Sequence, residues 1–268
     1  MSKKLMSIIV LNWNRAYYSK ATIECILKKT TIPHELIFVD NASTEESGVR
    51  KYLKSVQGNT HTKEIKYVFN NRNFGVGGGR NTGLMVADGE YLVTIDDDVL
   101  IPNNWDIKLA EACDKVPGLG ITGVNVEPFK FPVKVISGVR LRPKAGNLGG
   151  ACLCLPRRVF KRIGYYMAEN IYGMEDVEMR CRLDLAGLLS AYIEPKGTHL
   201  DKDELKEYRS VKNNAHVRGS IQTSALAQFR RKLIAQHKET KSLYVPFNPD
   251  NFNPVDDKDF TNDLIKKG

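Results

Sequence analysis

Three adjacent carboxylates, Asp96-Asp97-Asp98, follow the apolar run Tyr91–Ile95. Carboxylates this close repel one another unless water or a cation neutralises them. Mg²⁺ and Mn²⁺ favour such oxygens, taking one or two from the protein and further ones from substrate phosphates. In an extended segment Asp96 and Asp98 share a side and Asp97 faces away. The spacing therefore predicts that Asp96 and Asp98 converge on one metal–diphosphate; the alternative is a plain polar turn. Asp40 closes a second apolar run, Glu35–Val39, where a carboxylate can hold a ribose hydroxyl or base N–H, or serve only as a turn or helix cap. Glu175-Asp176 opens a helical stretch. Acidic residues suit a helix start electrostatically, and one set against a hydroxyl is what a general base requires. His199 either completes a metal shell or is an ordinary satisfied histidine.

Between these acids lies Asn70-Asn71-Arg72-Asn73-Phe74-Gly75-Val76-Gly77-Gly78-Gly79-Arg80-Asn81-Thr82-Gly83. Glycine permits close backbone approach, and a following helix N-terminus favours anions. The run lacks the Gly-Lys-Ser/Thr ending of a P-loop and follows the third strand, not the first, which excludes the phosphate-loop and dinucleotide fingerprints. Arg80 is open to two readings, facing a diphosphate or forming a structural salt bridge.

Strand and helix signals alternate around these residues. Ser7–Leu11, Glu35–Val39, Ile65–Phe69 and Tyr91–Ile95 read as short buried strands, with helical spacing over Ala21–Lys28, Glu46–Val56 and Asn81–Ala87. Such alternation predicts an α/β fold with a mainly parallel sheet. Asn12, Asp40 and the three aspartates all fall at carboxyl ends of strands, where open α/β sheets bind ligands. Further on, Gly120–Val126 and Lys134–Leu141 read as strands, Pro156–Gly164 as a short helix, and Glu175–Leu185 as a helix stopped by Gly187. Helical periodicity returns over Ser220–Gln236, and the tail with Pro246, Pro249 and Pro254 reads as loop.

At 268 residues, with 42% hydrophobic and 26% charged residues, the chain can bury a sizeable core and is no disordered protein. The expected organisation is one α/β domain over 1–200, in a first part over 1–115 and a mixed part over 116–200, then a helical extension and tail over 201–268. The net charge of +9 is uneven: residues 1–129 hold 15 basic and 15 acidic side chains, whereas residues 130–241 hold 22 and 11. That excess fits a solvated surface or an acidic partner, DNA included. Five cysteines without paired CxxC spacing argue against zinc or a disulfide framework and for reduced thiols. With neither an apolar leader nor a run of about 20 apolar residues, the expectation is a soluble, cytoplasmic protein, peripheral to membranes at most.

The ordered series Ser7-Ile8-Ile9-Val10-Leu11-Asn12, Val39-Asp40-Asn41-Ala42-Ser43, Asn73-Phe74-Gly75 with Gly79-Arg80-Asn81-Thr82-Gly83, and Asp96-Asp97-Asp98 resembles the family 2 glycosyltransferases of the GT-A fold. The likeness continues through Gly149-Gly150-Ala151, Arg157-Arg158-Val159-Phe160 and Tyr172-Gly173-Met174-Glu175-Asp176-Val177-Glu178 with Arg182, covering roughly residues 5–200. The resemblance implies a nucleotide-sugar donor of UDP or dTDP type and a Mn²⁺ or Mg²⁺ cofactor. It places Asp40 on the nucleoside, with Asn12, Asn73, Gly75, Arg80, Asn81, Asp96 and Asp97 around the donor. Gly149 and Gly150 would line the sugar or acceptor pocket. Asp98, Asp96 and His199 would hold the metal, with Asp176 as base and Glu175 beside it. Where the family often carries Gly-Phe-Asp-Glu, this chain reads Gly164-Tyr165-Tyr166-Met167-Ala168-Glu169, so acceptor specificity does not carry over.

The reaction expected is a single inverting displacement at the anomeric carbon, onto a glycan or lipid-linked saccharide. The basic half keeps a second acceptor open, hydroxymethylated DNA bases flipped from the duplex. A nucleotidyltransferase would share metal and carboxylates but release diphosphate from a sugar phosphate and a nucleoside triphosphate. A non-catalytic nucleic-acid-binding protein would leave the ordered carboxylates without a purpose.

Overall fold

The computed structural model describes residues 4–128, 131–144, 148–167, 175–200, 231–232 and 234–251. The first four strands, β1 (Met6–Asn12), β2 (His34–Asp40), β3 (Thr62–Phe69) and β4 (Tyr91–Asp96), are parallel and lie in the order β3-β2-β1-β4. The chain runs outward from β1 to β3 and returns to β4 on the other flank of β1, making the carboxyl end of β1 the topological switch point. Asn12 pairs there with Asp40, and Leu11 with Asp96.

Alternation along the strands sorts side chains into two cores. Met6, Ile8, Val10, Leu36 and Phe38 face one layer with Ile23 and Ile26 of α1 (Ala16–Lys29), Leu53 of α2 (Val49–Ser55), and Trp105 and Leu109 of α4 (Trp105–Lys115). Ile9, Ile37, Val39 and Leu92 face the other, with Leu84 of α3 (Gly75–Met85), Phe160 and Ile163 of α5 (Arg157–Ile163), and Met179 and Leu183 of α6 (Glu175–Leu185). Strands covered on both faces must be apolar throughout, hence the near-continuous hydrophobic runs.

Beyond β4 the sheet becomes mixed. A two-residue strand β5 (Val99–Leu100) leaves the main sheet, and β6 (Leu119–Val124) rejoins it. Next come β7 (Lys134–Ile136), β8 (Val139–Pro143), β9 (Cys152–Pro156), β10 (Leu189–Ile193) and β11 (Thr198–His199). The sheet continues from β4 as β9-β6-β10-β8-β7, with β9 antiparallel to both β4 and β6 and β10 parallel to β6. Thus the parallel half and the mixed half anticipated from sequence share one nine-stranded sheet.

Two local readings are corrected. The glycine-rich run is not a turn before a helix; it is the helix, since α3 begins at Gly75. The glycines let α3 lie close on the sheet: a Cβ on Gly79 would sit 2.5 Å from Leu11 Cδ1, and one on Gly83 2.4 Å from Ile9 Cγ2. Lys134–Leu141 is not one strand but the β7–β8 hairpin, reversed at Ser137 and Gly138 with positive φ at both, the geometry of a two-residue hairpin turn.

The expected helix over Ser220–Gln236 lies mostly outside the described residues; its described end is helical and continues to 240. Residues 241–251 run back across the body. Val245 accepts from Tyr165 N–H at 2.9 Å and donates to Ile163 O at 3.0 Å. Pro254 lies outside the described residues. All five cysteines are free thiols, and no helix among the described residues is long and apolar enough to cross a membrane.

Candidate active site

Arg80 organises one side of the site. From buried α3 its guanidinium donates to Asp96 Oδ1 at 2.6 Å, Glu175 Oε1 at 3.0 Å and Gly150 O at 3.0 Å. Three segments far apart in sequence, the end of β4, the start of α6 and the turn before β9, therefore meet on one cation. Gly150 has no Cβ because one would lie 3.0 Å from both terminal nitrogens of Arg80. Arg80 is thus held in an internal ion-pair junction with Asp96 and Glu175. Burial raises Glu175 to about 7, against the pull of Arg80 and with Asp176 adding like charge. Asp176 follows at the N-terminus of α6, half-buried.

The other side is organised by Arg15, just after β1. It bonds Asp98 Oδ2 at 2.9 Å and, through its other terminal nitrogen, Asp97 Oδ1. His199 Nε2 lies 3.2 Å from Asp98 Oδ1, brought there because β11 pairs with β5, with His199 opposite Val99. Burial pushes Asp98 upward, but His199 and Arg15 outweigh it and hold its carboxyl below the usual range. Burial raises Asp97 to about 7 despite Arg15, helped by the neighbouring charges of Asp98 and Asp96.

The predicted sharing of one side by Asp96 and Asp98 does not hold. Alternation presupposes an extended chain, and residues 97–98 form a turn between β4 and β5. Asp97 and Asp98 instead share Arg15, while Asp96 turns to Arg80 and keeps 30% of its side chain open. These residues still fit a hard divalent cation. Asp98 is held ionised against an imidazole, Asp96 is partly open, and Asp97 Oδ2 is buried without a hydrogen-bond partner. A second acidic group, Glu35, Glu64 and Asp88, lies at the opposite end of the strands and surrounds Lys66, whose ammonium is 2.7 Å from Glu35 and 2.5 Å from Asp88.

At the end of β2, Asp40 is fully buried, with Oδ2 2.8 Å from Arg50 Nε and 2.7 Å from its Nη2, and Oδ1 accepting from Ser43 N–H. Asn12 donates to Val10 O and Val39 O, leaving its Oδ1 buried and without a partner. Asn41 gathers the glycine-run loop: it donates to Asn73 Oδ1 and Gly75 O, and accepts from Asn70 and from Phe74 N–H. Asn73 lies just ahead of α3 and accepts from the N–H of its first residue, Gly75, at 2.8 Å. Asn81 exchanges two hydrogen bonds with the Tyr166 backbone, fixing the segment that leads toward α6. Gly149 donates its N–H to Tyr192 Oη at 2.7 Å.

Sequence reasoning missed Arg15, Asn41, Tyr166 and Tyr192. Arg15 and Asn41 were detectable, because each follows a strand end already singled out. Tyr166 and Tyr192 carried no signal beyond an ordinary core aromatic.

Residues 7–136 match the family described as Glycosyl transferase family 2. Among curated proteins, the chain is 33% identical over 107 residues to a protein of Escherichia coli K12 assigned by name to colanic acid biosynthesis, WcaA. It is 31% identical over 101 residues to the glycosyltransferase GlyG of Streptococcus pneumoniae. It is 29% identical over 111 residues to the Escherichia coli glucosyltransferase WfgD, named for UDP-Glc and a GlcNAc-diphosphoundecaprenol acceptor. These alignments cover 40%, 38% and 41% of this chain but only 37%, 32% and 42% of those proteins' own length. The fold is shared with solved structures of low identity. GalNAc-T7 with UDP, GalNAc and Mn²⁺ superposes with a TM-score of 0.60 at 16% identity, over 74% of this chain and 44% of that one. The mannosyltransferase PcManGT of Pyrobaculum calidifontis, with GDP-Man and Mn²⁺, gives 0.58 at 18%, over 80% and 62%. The α/β sheet, the order of its strand-end residues and the match over residues 7–136 bear out the resemblance of this chain to glycosyl transferase family 2.

Proposed function

We propose that this protein transfers a sugar from a nucleotide-sugar donor to an acceptor hydroxyl with inversion at the anomeric carbon, assisted by Mn²⁺ or Mg²⁺. The observation that carries the reading is the Arg80 junction, which sets Asp96 and the start of α6 against each other at the switch point of a family 2 fold. A divalent cation held by Asp98, Asp96 and His199 would supply positive charge for the departing diphosphate. Asp40, Asn12, Asn73 and Gly75 line the nucleotide side, where a donor would exchange with contacts such as Arg50 on Asp40. Asp176 takes the acceptor proton, Glu175 stays on Arg80 and fixes the helix start, and Gly149 and Gly150 border the sugar.

The nucleotide-sugar donors named for two structural neighbours and for WfgD support this reading. UDP and dTDP donors remain the first to test. A glycan or lipid-linked saccharide is the acceptor the family names favour; a hydroxymethylated DNA base draws only on the basic side chains, such as Lys161 and Arg162 on α5. Activity insensitive to salt, with no DNA binding at low salt, removes the DNA acceptor. The deciding experiment is a thermal-shift and hydrolysis screen of nucleotide sugars with Mn²⁺ or Mg²⁺, with Asp98→Ala alongside. Metal-dependent stabilisation by one donor, lost in the variant, is expected; a flat response to every donor overturns the proposal.

A further inference from the structure

One turn along α6 from Asp176, on the same helix face, stands Arg180. Its Nη2 pairs with Asp184 at 2.6 Å, yet its Nε and Nη1 are buried and have no hydrogen-bond partner, and its side chain is only 12% exposed. Lys144 follows β8, where its backbone N–H is held by Ser190 O at 3.1 Å, and the Tyr192 ring near its ammonium packs in the same core as Met179 and Leu183 of α6. Its ammonium lies 5.4 Å from the Phe131 ring centroid and 5.8 Å from that of Tyr192, and it makes no hydrogen bond or ion pair with a described residue. Tyr192, in turn, accepts from Gly149 N–H. Burial lowers Lys144 from its ordinary value; Asp176 opposes that fall and Arg180 adds to it, so the three charges act on one another.

A partly buried ammonium with no ion pair to a described residue, and a guanidinium with two buried donors unmade, are costly, because a buried donor left unmade forfeits its full hydration. Asp176 and Asp184 do not use up the available donors. A ligand anion would. We infer that Lys144 and Arg180 form an anion subsite beside Asp176 that receives a phosphate or carboxylate group carried by the acceptor sugar. The inference rests on the proposed function for calling this side the acceptor side. The donor diphosphate belongs at Asp96 and Asp98, whereas Arg180 lies further down α6, about 6 Å along the helix axis from Asp176. An acceptor whose hydroxyl meets Asp176 would thus extend its charged substituent toward Lys144 and the Tyr192 ring.

The test titrates the full chain, in EDTA, with α-D-glucose 1-phosphate, D-glucuronate and the neutral methyl α-D-glucoside, followed by calorimetry or NMR. One or both anionic sugars should bind, and the neutral one at least roughly tenfold more weakly, as expected for hydrogen bonds to charged groups. Lys144→Met and Arg180→Met should each weaken the anionic probe by about the same factor. Lys144→Arg should retain it, and Asp98→Ala should leave it unchanged, showing that the probe is not on the donor site. Preference for the phosphate or for the carboxylate identifies which group the acceptor carries. Equal binding of neutral and anionic sugars, absence of binding, or unchanged binding in Lys144→Met overturns the inference; Lys144 is partly exposed, so its variant should fold even if Arg180→Met does not. Nucleotide-sugar binding without anion binding defeats this inference alone. Anion binding without any nucleotide-sugar response defeats the proposed function and leaves the anion site standing.

Discussion

Arg15 and Asp98, contributed by the ends of β1 and β4, lie 2.9 Å apart and join the two strands at the switch point of the sheet. Arg15 also holds Asp97, so one protein cation neutralises two of the three adjacent carboxylates. The turn can therefore stand without a metal, and the cation proposed there would act alongside or against Arg15.

Arg15→Ala leaves two buried carboxylates without that partner. Loss of one member of a buried pair costs about 3–5 kcal/mol, and the partial exposure of Arg15 puts the expected loss at the lower end. Added Mn²⁺ should then raise the Tm of the variant more than that of the wild type, because a second cation replaces the first. Denaturant unfolding with and without Mn²⁺ measures both; equal metal-induced shifts would show that Arg15 and the metal do not share these carboxylates.

Asp176→Asn should lower turnover by roughly 10²–10⁴-fold while leaving donor affinity nearly intact, as expected for loss of a general base. Glu175→Gln acts differently, because it weakens the anchor on Arg80 and should lower stability as well. Single-turnover rates beside donor Kd separate the two; near-normal turnover in Asp176→Asn would remove it from the role.

Gly83→Ala tests whether the glycine run serves packing. Alanine favours a helix by up to about 1 kcal/mol, but its Cβ would lie 2.4 Å from Ile9 Cγ2 and 2.9 Å from Val39 Cγ2. Overpacking of this kind costs about 1–3 kcal/mol, so a net loss of stability is expected, visible in urea unfolding. A stabilised variant would mean that α3 can lift from the sheet freely.

His34, at the start of β2, has Nδ1 2.9 Å from Ile32 O and Nε2 2.9 Å from Thr62 Oγ1. Burial lowers its pKa from 6.5, outweighing the Ile32 hydrogen bond. The folded state thus prefers neutral imidazole. Its contribution to stability is present above pH 6.5 and is lost as the pH falls through the lower folded value. A Tm series through that window should fall less steeply in His34→Gln; parallel curves would show that another group sets the acid limb.

The sequence by itself determined the alternation of strands and helices, and with it the parallel half of the sheet. Buried runs such as Leu36–Val39 have few alternatives once helices must cover both faces. It also determined that Asn12, Asp40 and Asp96 end neighbouring strands, because in such sheets every parallel strand presents its carboxyl end on one edge. Tertiary structure decided the partners. That Arg80 joins Asp96 to Glu175, across 16 and 95 positions of chain, depends on how α3 and α6 pack, which no local pattern encodes. The direction of the three aspartates followed from the turn at 97–98, and the helical state of the glycine run followed from the space above Leu11 and Ile9. Local propensity opposes a helix so rich in glycine; the close approach to the sheet that only glycine allows is a property of the folded whole.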